Sequence, residues 1–428
     1  MTATAPSAPT DHYTIISSDS HAGASHATYR EYLDPAYLED FDAWRNKYKN
    51  PYKDLAPGDD RRKRNWDDEM RNRQQEDDGI VGEVAFPNTV PPFFPSFVLF
   101  APPPPPDEYE HRLAGIRAHN RWLKDWCNEF GDRRAGVGQI FLNNIDDAIA
   151  DVHWIKENGL RGGILLPAIP PDVKWVKPLY DPEYDRLWKV IEDIEIPINA
   201  HGGTGVPDYG KYPTSMLLYI MEASFYSQRP FVQLVLSGVF DRFPRLKFVM
   251  TENGCAWLPG LIAHMDGMMK SIRGGGAVGE IRYTKDERQG SLLASEAFAQ
   301  NCWMGVSQPG MADAKAMSFV GEDRFMWGSD YPHDEGTYPH SREAIRSRFH
   351  ELSPDVKYKI LAGNAAALYD FDLEALAPLA ERVGPTVAEL AEPLHALPEN
   401  PSQGLARGYA AGDRDDKVLS KDMSADAL

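Results

Sequence analysis

One stretch, residues 145–203, shows two helix patterns that alternate with two strand patterns. The helices read IDDAIADVHWIKENGL (145–160) and YDRLWKVIEDIEI (184–196), and the strands read RGGILLP (161–167) and PINAHGG (197–203). The helices carry apolar residues three and four positions apart, whereas the strands are almost continuously apolar. Such strands are buried on both faces, which is typical of a parallel sheet covered by helices.

The same alternation extends over most of the chain. Strand patterns begin with TIISS (14–18) and end with RFMWGSDYPH (324–333), and the others lie at 81–86, 134–142, 161–167, 197–201, 246–253 and 301–307. Each of these eight strands but the last is followed by at least one helix before the next, and we expect the helix in 216–244 to break at Pro230. This order predicts an α/β fold, a parallel (β/α)8 TIM barrel over residues 12–370. A two-domain doubly wound sheet is the alternative.

Two segments interrupt or follow the predicted barrel. A Pro-rich insertion near 89–107 contains five consecutive prolines, and we expect it on the surface, exposing Phe93, Phe94, Phe97, Leu99 and Phe100. A C-terminal extension, 371–428, is rich in Ala, Pro and charged residues and has too few large apolar residues for its own core. We predict that it is an arm that contacts a second subunit, in a homo-oligomer or a hetero-oligomer with a paralogous barrel, and packing on its own barrel is the alternative.

The composition excludes several classes of partner. The 45 Lys and Arg against 64 Asp and Glu give a formal net charge of -19, which disfavours nucleic acid and anionic membranes. The three cysteines form no CxxC pair, so neither a disulfide framework nor a cysteine zinc site is indicated. Without a signal-peptide pattern or a long apolar run, we expect a cytoplasmic protein that acts on a small molecule.

Polar side chains stand at the C-terminal ends of four predicted strands. The first strand changes abruptly from apolar residues to Asp19-Ser-His21, and the strand period of two places Asp19 and His21 on the same side. Strands five, six and eight end in His201, Glu252 and Asp330. The C-terminal strand ends of a TIM barrel carry its active site. These five residues therefore predict a site for a divalent ion such as zinc, manganese or iron.

Other residues are weaker candidates. His26 follows strand one and His333 follows strand eight, so each is either a second-metal ligand, a residue that contacts the ligands, or a plain loop residue. Trp257 could wall a substrate pocket and Arg229 could bind a substrate carboxylate, although a core aromatic and a helix-surface ion pair are the alternatives. The remaining histidines fall in helices or tails and are interpreted as structural: His12, His111, His119, His153, His264, His340, His350 and His395.

The motifs resemble the amidohydrolase superfamily, in particular the branch that contains aminocarboxymuconate semialdehyde decarboxylase and γ-resorcylate decarboxylase. The resemblance covers about residues 13–369. It is carried by SSDSH (17–21), NAHGG (199–203), SGVFDRFPRLKFVMTENGCAWLP (237–259), FMWGSDYPH (325–333) and ILAGNAAALYDF (360–371).

The resemblance implies specific roles for the strand-end residues. A metal would be held by Asp19, His21, His201 and Asp330, and Asp330 would also carry a proton. The sequence departs from these decarboxylases at strand six, where they place a catalytic His and this chain has Glu252. The catalytic candidates are therefore Asp330, Glu252 and His201.

Three functions follow from this sequence. The first is a metal-dependent enzyme that hydrolyses or decarboxylates a small organic acid, and the residues permit both reactions. The second is a dinuclear non-haem iron, or manganese and iron, oxygenase that hydroxylates a small organic acid, because Glu252, His26 and His333 could add ligands for a second ion. The third is a non-catalytic partner subunit of a paralogue.

Overall fold

Eight parallel strands lie side by side and form a barrel. The computed structural model describes residues 11–49, 60–275, 277–283 and 290–409, and in it the barrel strands follow the order β1-β2-β3-β4-β5-β6-β9-β10. The strands are β1 (Ile16–Ala22), β2 (Gly82–Pro87), β3 (Arg134–Gln139), β4 (Gly163–Leu165), β5 (Ile198–His201), β6 (Phe248–Thr251), β7 (Ala277–Val278), β8 (Ile281–Arg282), β9 (Cys302–Ser307) and β10 (Phe325–Gly328). β7 and β8 form a separate antiparallel pair.

At least one helix separates each pair of successive barrel strands, which confirms the predicted (β/α)8 barrel. The helices are α1 (His26–Tyr32), α2 (Leu38–Lys47), α3 (Asp68–Asp77), α4 (Tyr109–Asn128), α5 (Ile145–Glu157), α6 (Asp185–Ile194), α7 (Ser215–Leu236), α8 (Val239–Arg242), α9 (Leu258–Gly275), α10 (Ala294–Asn301), α11 (Met311–Val320), α12 (Ser341–Phe349), α13 (Pro354–Tyr358), α14 (Asn364–Tyr369), α15 (Leu373–Val383) and α16 (Val387–Ala391). Within the described ranges, none of the helices combines the length and apolar character needed to cross a membrane.

The first and last barrel strands meet through backbone hydrogen bonds. The Asp330 N–H donates to the Asp19 carbonyl at 3.0 Å, and the His21 N–H donates to the Tyr331 carbonyl at 2.7 Å. A β-carbon at Gly328 would lie 2.8 Å from the Asp19 β-carbon, so only glycine permits this close approach. These contacts between the first and last barrel strands therefore place the polar ends of β1 and β10 next to each other.

The C-terminal extension packs against its own barrel as far as residue 409. Phe371 and Leu376 belong to the same buried apolar cluster as Ile16 and Val84 of the barrel interior. The Arg342 guanidinium donates to the Val383 carbonyl at 2.6 Å. Residues 410–428, which include the polar end of the predicted arm, lie outside the described residues, and the contact with a second subunit stays a prediction.

The Pro-rich insertion is less exposed than its sequence predicts. Phe94 is fully buried in a cluster with Leu113, Ile116 and Phe141, so its predicted exposure was wrong. Phe100 is 44% exposed, and the other three predicted residues are partly buried. Because its phenylalanines pack against α4 and the end of β3, the insertion folds over the C-terminal ends of the strands.

The predicted break at Pro230 was also wrong, because α7 runs continuously from Ser215 to Leu236. A proline removes one helix hydrogen bond and usually bends or ends a helix. Here Phe231, Leu234 and Val235 are buried in the main core cluster. Their burial holds the C-terminal half of α7 in place despite the missing N–H.

Candidate metal centre and active site

The five strand-end residues converge on the C-terminal mouth of the barrel. Asp19 and His21 point to the same side of β1, and His201 is the last residue of β5. Glu252 directly follows β6 and Asp330 lies two residues beyond β10. Both carboxylate residues adopt left-handed backbone conformations, with φ of 54° and 60°. Such conformations are uncommon outside glycine and cluster at functional sites, where the surrounding structure holds them.

The first group of potential ligands joins three strands. One ligand atom from each of Asp19, His21, His201 and Glu252 lies within 4.8 Å of the others. The Nε2 atoms of His21 and His201 each lie 3.4 Å from Asp19 Oδ1. His201 Nδ1 lies 3.2 Å from Glu252 Oε2.

A second group overlaps the first. His21, Asp330 and His333 bring ligand atoms within 4.8 Å of one another, and so do Glu252, Asp330, His333 and Glu335. His21 Nε2 lies 3.2 Å from Asp330 Oδ1, and His333 Nδ1 lies 2.8 Å from the same oxygen. The structure thus brings all four predicted ligands together with Glu252 and His333. Their role as ligands stays a prediction.

The burial and charge of these groups fit a divalent cation. Both ring nitrogens of His21 are buried and have no hydrogen-bond partner within the described residues. Among the same residues, the carboxylates of Asp19, Glu252 and Asp330 form ion pairs with histidines and with no lysine or arginine. Buried charges need a partner of opposite sign. A bound cation would provide it and would coordinate the His21 imidazole, whose Nε2 lies near oxygens of Asp19 and Asp330 without forming a hydrogen bond to either.

The two histidines of the first group have opposite electrostatic environments. Burial lowers the pKa of His21 to about 4, so this imidazole is neutral near pH 7 and free to ligate a metal. Burial also acts to lower the pKa of His201, but Glu252 and then Asp19 outweigh it and raise that pKa to about 9. His201 therefore carries a proton that a metal ion would displace.

The two neighbouring carboxyl groups also differ. Burial, with the charge of Asp330 added, raises the pKa of Glu252. Burial would raise the pKa of Asp330 too, but His333 and His21 outweigh it and hold that pKa below its usual range. Carboxyl groups with pKa values pushed apart are the usual arrangement for an acid and a base in one site. Glu252 is thus suited to hold a proton, and Asp330 to remain ionised.

A chain of hydrogen bonds fixes the protonation of His333. Asn65 Nδ2 donates to the Arg62 carbonyl at 2.9 Å, and Asn88 Nδ2 donates to Asn65 Oδ1 at 2.6 Å. Asn88 Oδ1 is therefore the atom that lies 2.9 Å from His333 Nε2. Because His333 Nδ1 faces Asp330, both ring nitrogens face acceptors, and Asp330 raises the His333 pKa to about 10 against the effect of burial. The ring is a proton-bearing partner of Asp330.

Three further side chains support the site and were missed by the sequence analysis. Gln308 Nε2 donates to Asp330 Oδ2 at 2.7 Å, Ser307 donates to Asp19, and Asn88 contacts His333. All three lie at or just after the ends of β2 and β9. The criterion that predicted the other residues, a polar side chain at the end of a strand, would also have identified these three.

Three predicted residues lie apart from the ligand groups. His26 lines the outer part of the mouth, where its Nε2 lies 3.0 Å from the Val90 carbonyl oxygen. Trp257 donates its indole N–H to the Asn253 carbonyl at 2.8 Å and packs on the core. Arg229 lies 5.7 Å from the ring of Tyr226. Trp257 and Arg229 line neither of the cavities described next.

Two adjacent cavities open at the mouth. The metal-side cavity, about 1240 Å³, is bordered by Glu252 and His333. The side cavity, about 510 Å³, lies over the ends of β3 and β4. Leu99, Phe100, Gly203 and Tyr219 line both cavities, so the two cavities adjoin at these residues.

The family model described as amidohydrolase matches residues 26–371. No curated protein sequence matches the chain. A solved structure of 5-carboxyvanillate decarboxylase from Sphingomonas paucimobilis is similar, with a TM-score of 0.61 and 19% identity over 84% of this chain and 100% of that one.

Two other similar structures contain manganese. One is 5-carboxyvanillate decarboxylase from Novosphingobium aromaticivorans with 4-hydroxy-3-methoxy-5-nitrobenzoic acid, with a TM-score of 0.61 and 18% identity over 84% of this chain and 96% of that one. The other is dihydroxybenzoic acid decarboxylase from a Polaromonas species with the inhibitor 2-nitroresorcinol, with a TM-score of 0.56 and 15% identity over 84% and 97%. At these identities the likeness concerns the fold, whereas the family model spans most of the sequence. The chain belongs to the amidohydrolase family of enzymes.

Proposed function

We propose that the chain is a metal-dependent decarboxylase that releases CO₂ from a small aromatic acid. The observation that carries this proposal is a pair of overlapping groups of potential ligands, which contain Asp19, His21, His201 and Asp330 together with Glu252 and His333. Glu252 and His333 border the metal-side cavity. The family match supports the proposal, and so do decarboxylases of the same fold that act on small aromatic acids. Manganese is the proposed ion, because two of those structures contain it.

The four donors would hold the ion, with two imidazole nitrogens and two carboxylates. A bound divalent ion supplies electrophilic polarisation of the oxygen atoms of the substrate. The chain's own residues shape the rest of the site. Ser307 and Gln308 hold the carboxylates of Asp19 and Asp330 by hydrogen bonds, so these groups stay oriented towards the mouth.

The proton needed by the reaction would come from the donor Asp330 with its partner His333, and from Glu252. In decarboxylation the bond between the ring carbon and the carboxyl carbon breaks, CO₂ leaves, and the electron pair on the ring carbon takes up a proton. The Asp330–His333 pair, 2.8 Å apart, holds a proton at the edge of the metal-side cavity. Glu252, with its raised pKa, is a second proton donor, and its carboxylate lies within 4.8 Å of ligand atoms of that pair.

The direct test is CO₂ release by the purified full chain. Protein stripped of metal and reloaded with manganese, zinc or ferrous iron is incubated with substituted hydroxybenzoates and larger hydroxy acids, with and without oxygen. We expect release of CO₂ that requires the metal and does not require oxygen. His201→Ala is the control and should lose both metal and activity. Metal-loaded protein that releases no CO₂ from any of these acids would contradict the proposal.

The second candidate is a dinuclear oxygenase that hydroxylates a small organic acid. The observation in its favour is that Glu252 belongs to two overlapping groups of potential ligands, so its carboxylate could bridge two ions. The protonated His333, held between Asp330 and Asn88, favours a single ion. Two metal ions per chain together with substrate-dependent oxygen uptake would decide for the oxygenase.

A further inference from the structure

The side cavity has the size of a small-molecule binding site. Its volume of about 510 Å³ lies within the range of roughly 300–1,000 Å³ typical of small-molecule sites. Its walls are mainly apolar and aromatic, and Phe94 and Phe141 within them are buried. The two rings lie 6.1 Å apart with an interplanar angle of 17°. A flat ring skeleton is the shape that such walls accept.

Two buried side chains in the same wall have polar atoms without a hydrogen-bond partner among the described residues. Gln139, at the end of β3, is 2% exposed, and neither its side-chain oxygen nor its side-chain nitrogen has a hydrogen-bond partner within the described residues. Its backbone is fixed, because its N–H and carbonyl are hydrogen-bonded to the Asn120 amide, both at 2.8 Å. An unsatisfied buried amide lowers the stability of the fold. A ligand oxygen that both donates and accepts would satisfy it.

Arg112 is the second of these groups. It is 1% exposed, its guanidinium lies 4.4 Å from the Phe94 ring centre, and one of its nitrogens donates to the Pro102 carbonyl at 2.7 Å. Its Nε has no hydrogen-bond partner within the described part of the chain. The insertion therefore holds a cation against the cavity wall with one donor still unused.

We infer that the side cavity binds the distal part of the substrate, a skeleton of two or more fused rings that carries a hydroxyl group. The carboxyl end of the same molecule lies in the metal-side cavity, because the two cavities share Leu99, Phe100, Gly203 and Tyr219. The hydroxyl group is both donor and acceptor and therefore matches the Gln139 amide. The identification of this ligand as substrate rests on the proposed function, whereas the binding site does not.

Calorimetric titration of the metal-loaded full chain with three probes tests the inference. The probes are 6-hydroxy-2-naphthoate, 2-naphthoate, which lacks the hydroxyl, and 4-hydroxybenzoate, which has one ring. Gln139→Leu keeps the volume but removes the amide. This variant should weaken the binding of 6-hydroxy-2-naphthoate by about tenfold or more, and it should change the affinity for 2-naphthoate by less than about twofold. Without ligand, this variant should melt at the same or a higher temperature, because it lacks a buried unsatisfied group.

Two other variants serve as comparisons. Val206→Trp fills the side cavity. It should weaken the binding of both naphthoates and leave the affinity for 4-hydroxybenzoate unchanged. Gln300 lies on α10 and lines neither cavity, so Gln300→Leu should leave the affinity for all three probes unchanged. Unchanged binding of 6-hydroxy-2-naphthoate by both Gln139→Leu and Val206→Trp would overturn the inference. Gln139-dependent binding without CO₂ release from any acid would overturn the proposed function and leave the binding site in place.

Discussion

Two buried charged clusters lie on different strands of the barrel, and they differ in how their charges are matched. The paired cluster consists of Glu83, Arg71 and Arg134. Glu83 accepts hydrogen bonds from Arg71 Nε at 2.9 Å, Gln75 at 2.8 Å and Ser20 at 2.6 Å. Burial alone would raise the pKa of Glu83, but Arg71 and then Arg134 outweigh it and lower the pKa to about 2.

The mouth cluster consists of Asp19, His21, His201, Glu252, Asp330 and His333. Among the described residues its three carboxylates have histidines as their only charged partners. The comparison teaches that burial by itself does not identify a site. A buried carboxylate that is matched by guanidinium groups supports the fold, whereas a cluster that leaves negative charge beside a neutral imidazole is suited to receive a cation.

The two clusters are connected through β1. Arg71 Nη1 donates to the His21 carbonyl at 2.8 Å, and Ser20, which donates to Glu83, lies between Asp19 and His21 in the chain. The paired cluster therefore fixes the backbone of the strand that carries two of the proposed ligands. Substitutions in the paired cluster should mainly affect stability, whereas substitutions in the mouth cluster should mainly affect metal binding and activity.

The largest effect is expected from Arg71→Met. Removing one partner leaves Glu83 buried without its main counter-charge, which should lower the free energy of unfolding by about 3–5 kcal/mol. Urea denaturation of the metal-free protein measures this loss. Arg30→Met, which breaks the exposed Arg30–Asp42 pair, is the matched control and should leave the free energy of unfolding nearly unchanged, because solvent screens an exposed ion pair. Equal losses in the two variants would remove the distinction between a paired cluster and a surface ion pair.

The next effect concerns the mouth cluster. Asp330→Asn keeps the size of the side chain but removes the charge that holds the proton of His333. It should lower turnover by at least about 10²-fold on the true substrate, with little change in the melting temperature of the metal-free protein. Steady-state kinetics and calorimetry measure the two quantities. Near-normal turnover would refute the role of Asp330 in proton transfer.

Acid titration separates the clusters in a third way. The pKa of Glu83 is near 2 in the folded protein against an ordinary value of 4.5, so its stabilisation is complete above about pH 4.5 and is lost as the pH falls towards 2. Between pH 5 and pH 3 the contribution of Glu83 to the free energy of unfolding should fall by about 2 kcal/mol. Urea melts of wild type and Glu83→Gln over this range measure it. Parallel pH profiles for the two proteins would show that Glu83 is not the titrating group.

The smallest effect, and one of opposite sign, is expected from Glu252→Gln in the metal-free protein. This change removes one of three neighbouring carboxylates that lack a lysine or arginine, so it should raise the free energy of unfolding at pH 7, on the order of 1 kcal/mol. The same variant should bind manganese more weakly. The exposed carboxylate of Glu381 provides the control, Glu381→Gln, which should leave both quantities unchanged. A loss of stability in Glu252→Gln would mean that Glu252 already has a matched partner.

The candidate ligands could be predicted from the sequence because two simple rules meet in them. Strand periodicity puts Asp19 and His21 on one side, and a parallel barrel gathers the ends of its strands at one edge. The same rules extend to Ser307, Gln308 and Asn88. They fail for Trp257 and Arg229, which lie on or next to helices, because helical spacing does not tell which residues reach the mouth.

The insertion and the extension show another limit of the sequence. The run of prolines predicted an exposed segment, but Phe94 is buried because it packs with Leu113 and Ile116 of α4 and with Phe141 after β3. The extension has too few apolar residues for a core of its own, yet Phe371 and Leu376 are buried because the barrel interior supplies the rest of the cluster. A segment without its own core can still be ordered by a neighbouring one.

The sequence by itself determined the barrel and the kinds of donor at its mouth, since both follow from local periodicity and from the order of elements. Only the tertiary structure decided which charges are matched. Glu83 is neutralised because α3 brings Arg71 within 2.9 Å, and Glu252 and Asp330 lie beside histidines because β5, β6 and β10 end at the same edge. Such pairings join residues from separate elements, and their distances follow from packing and strand register. The excess of negative charge that would hold a metal is therefore a property of the folded chain.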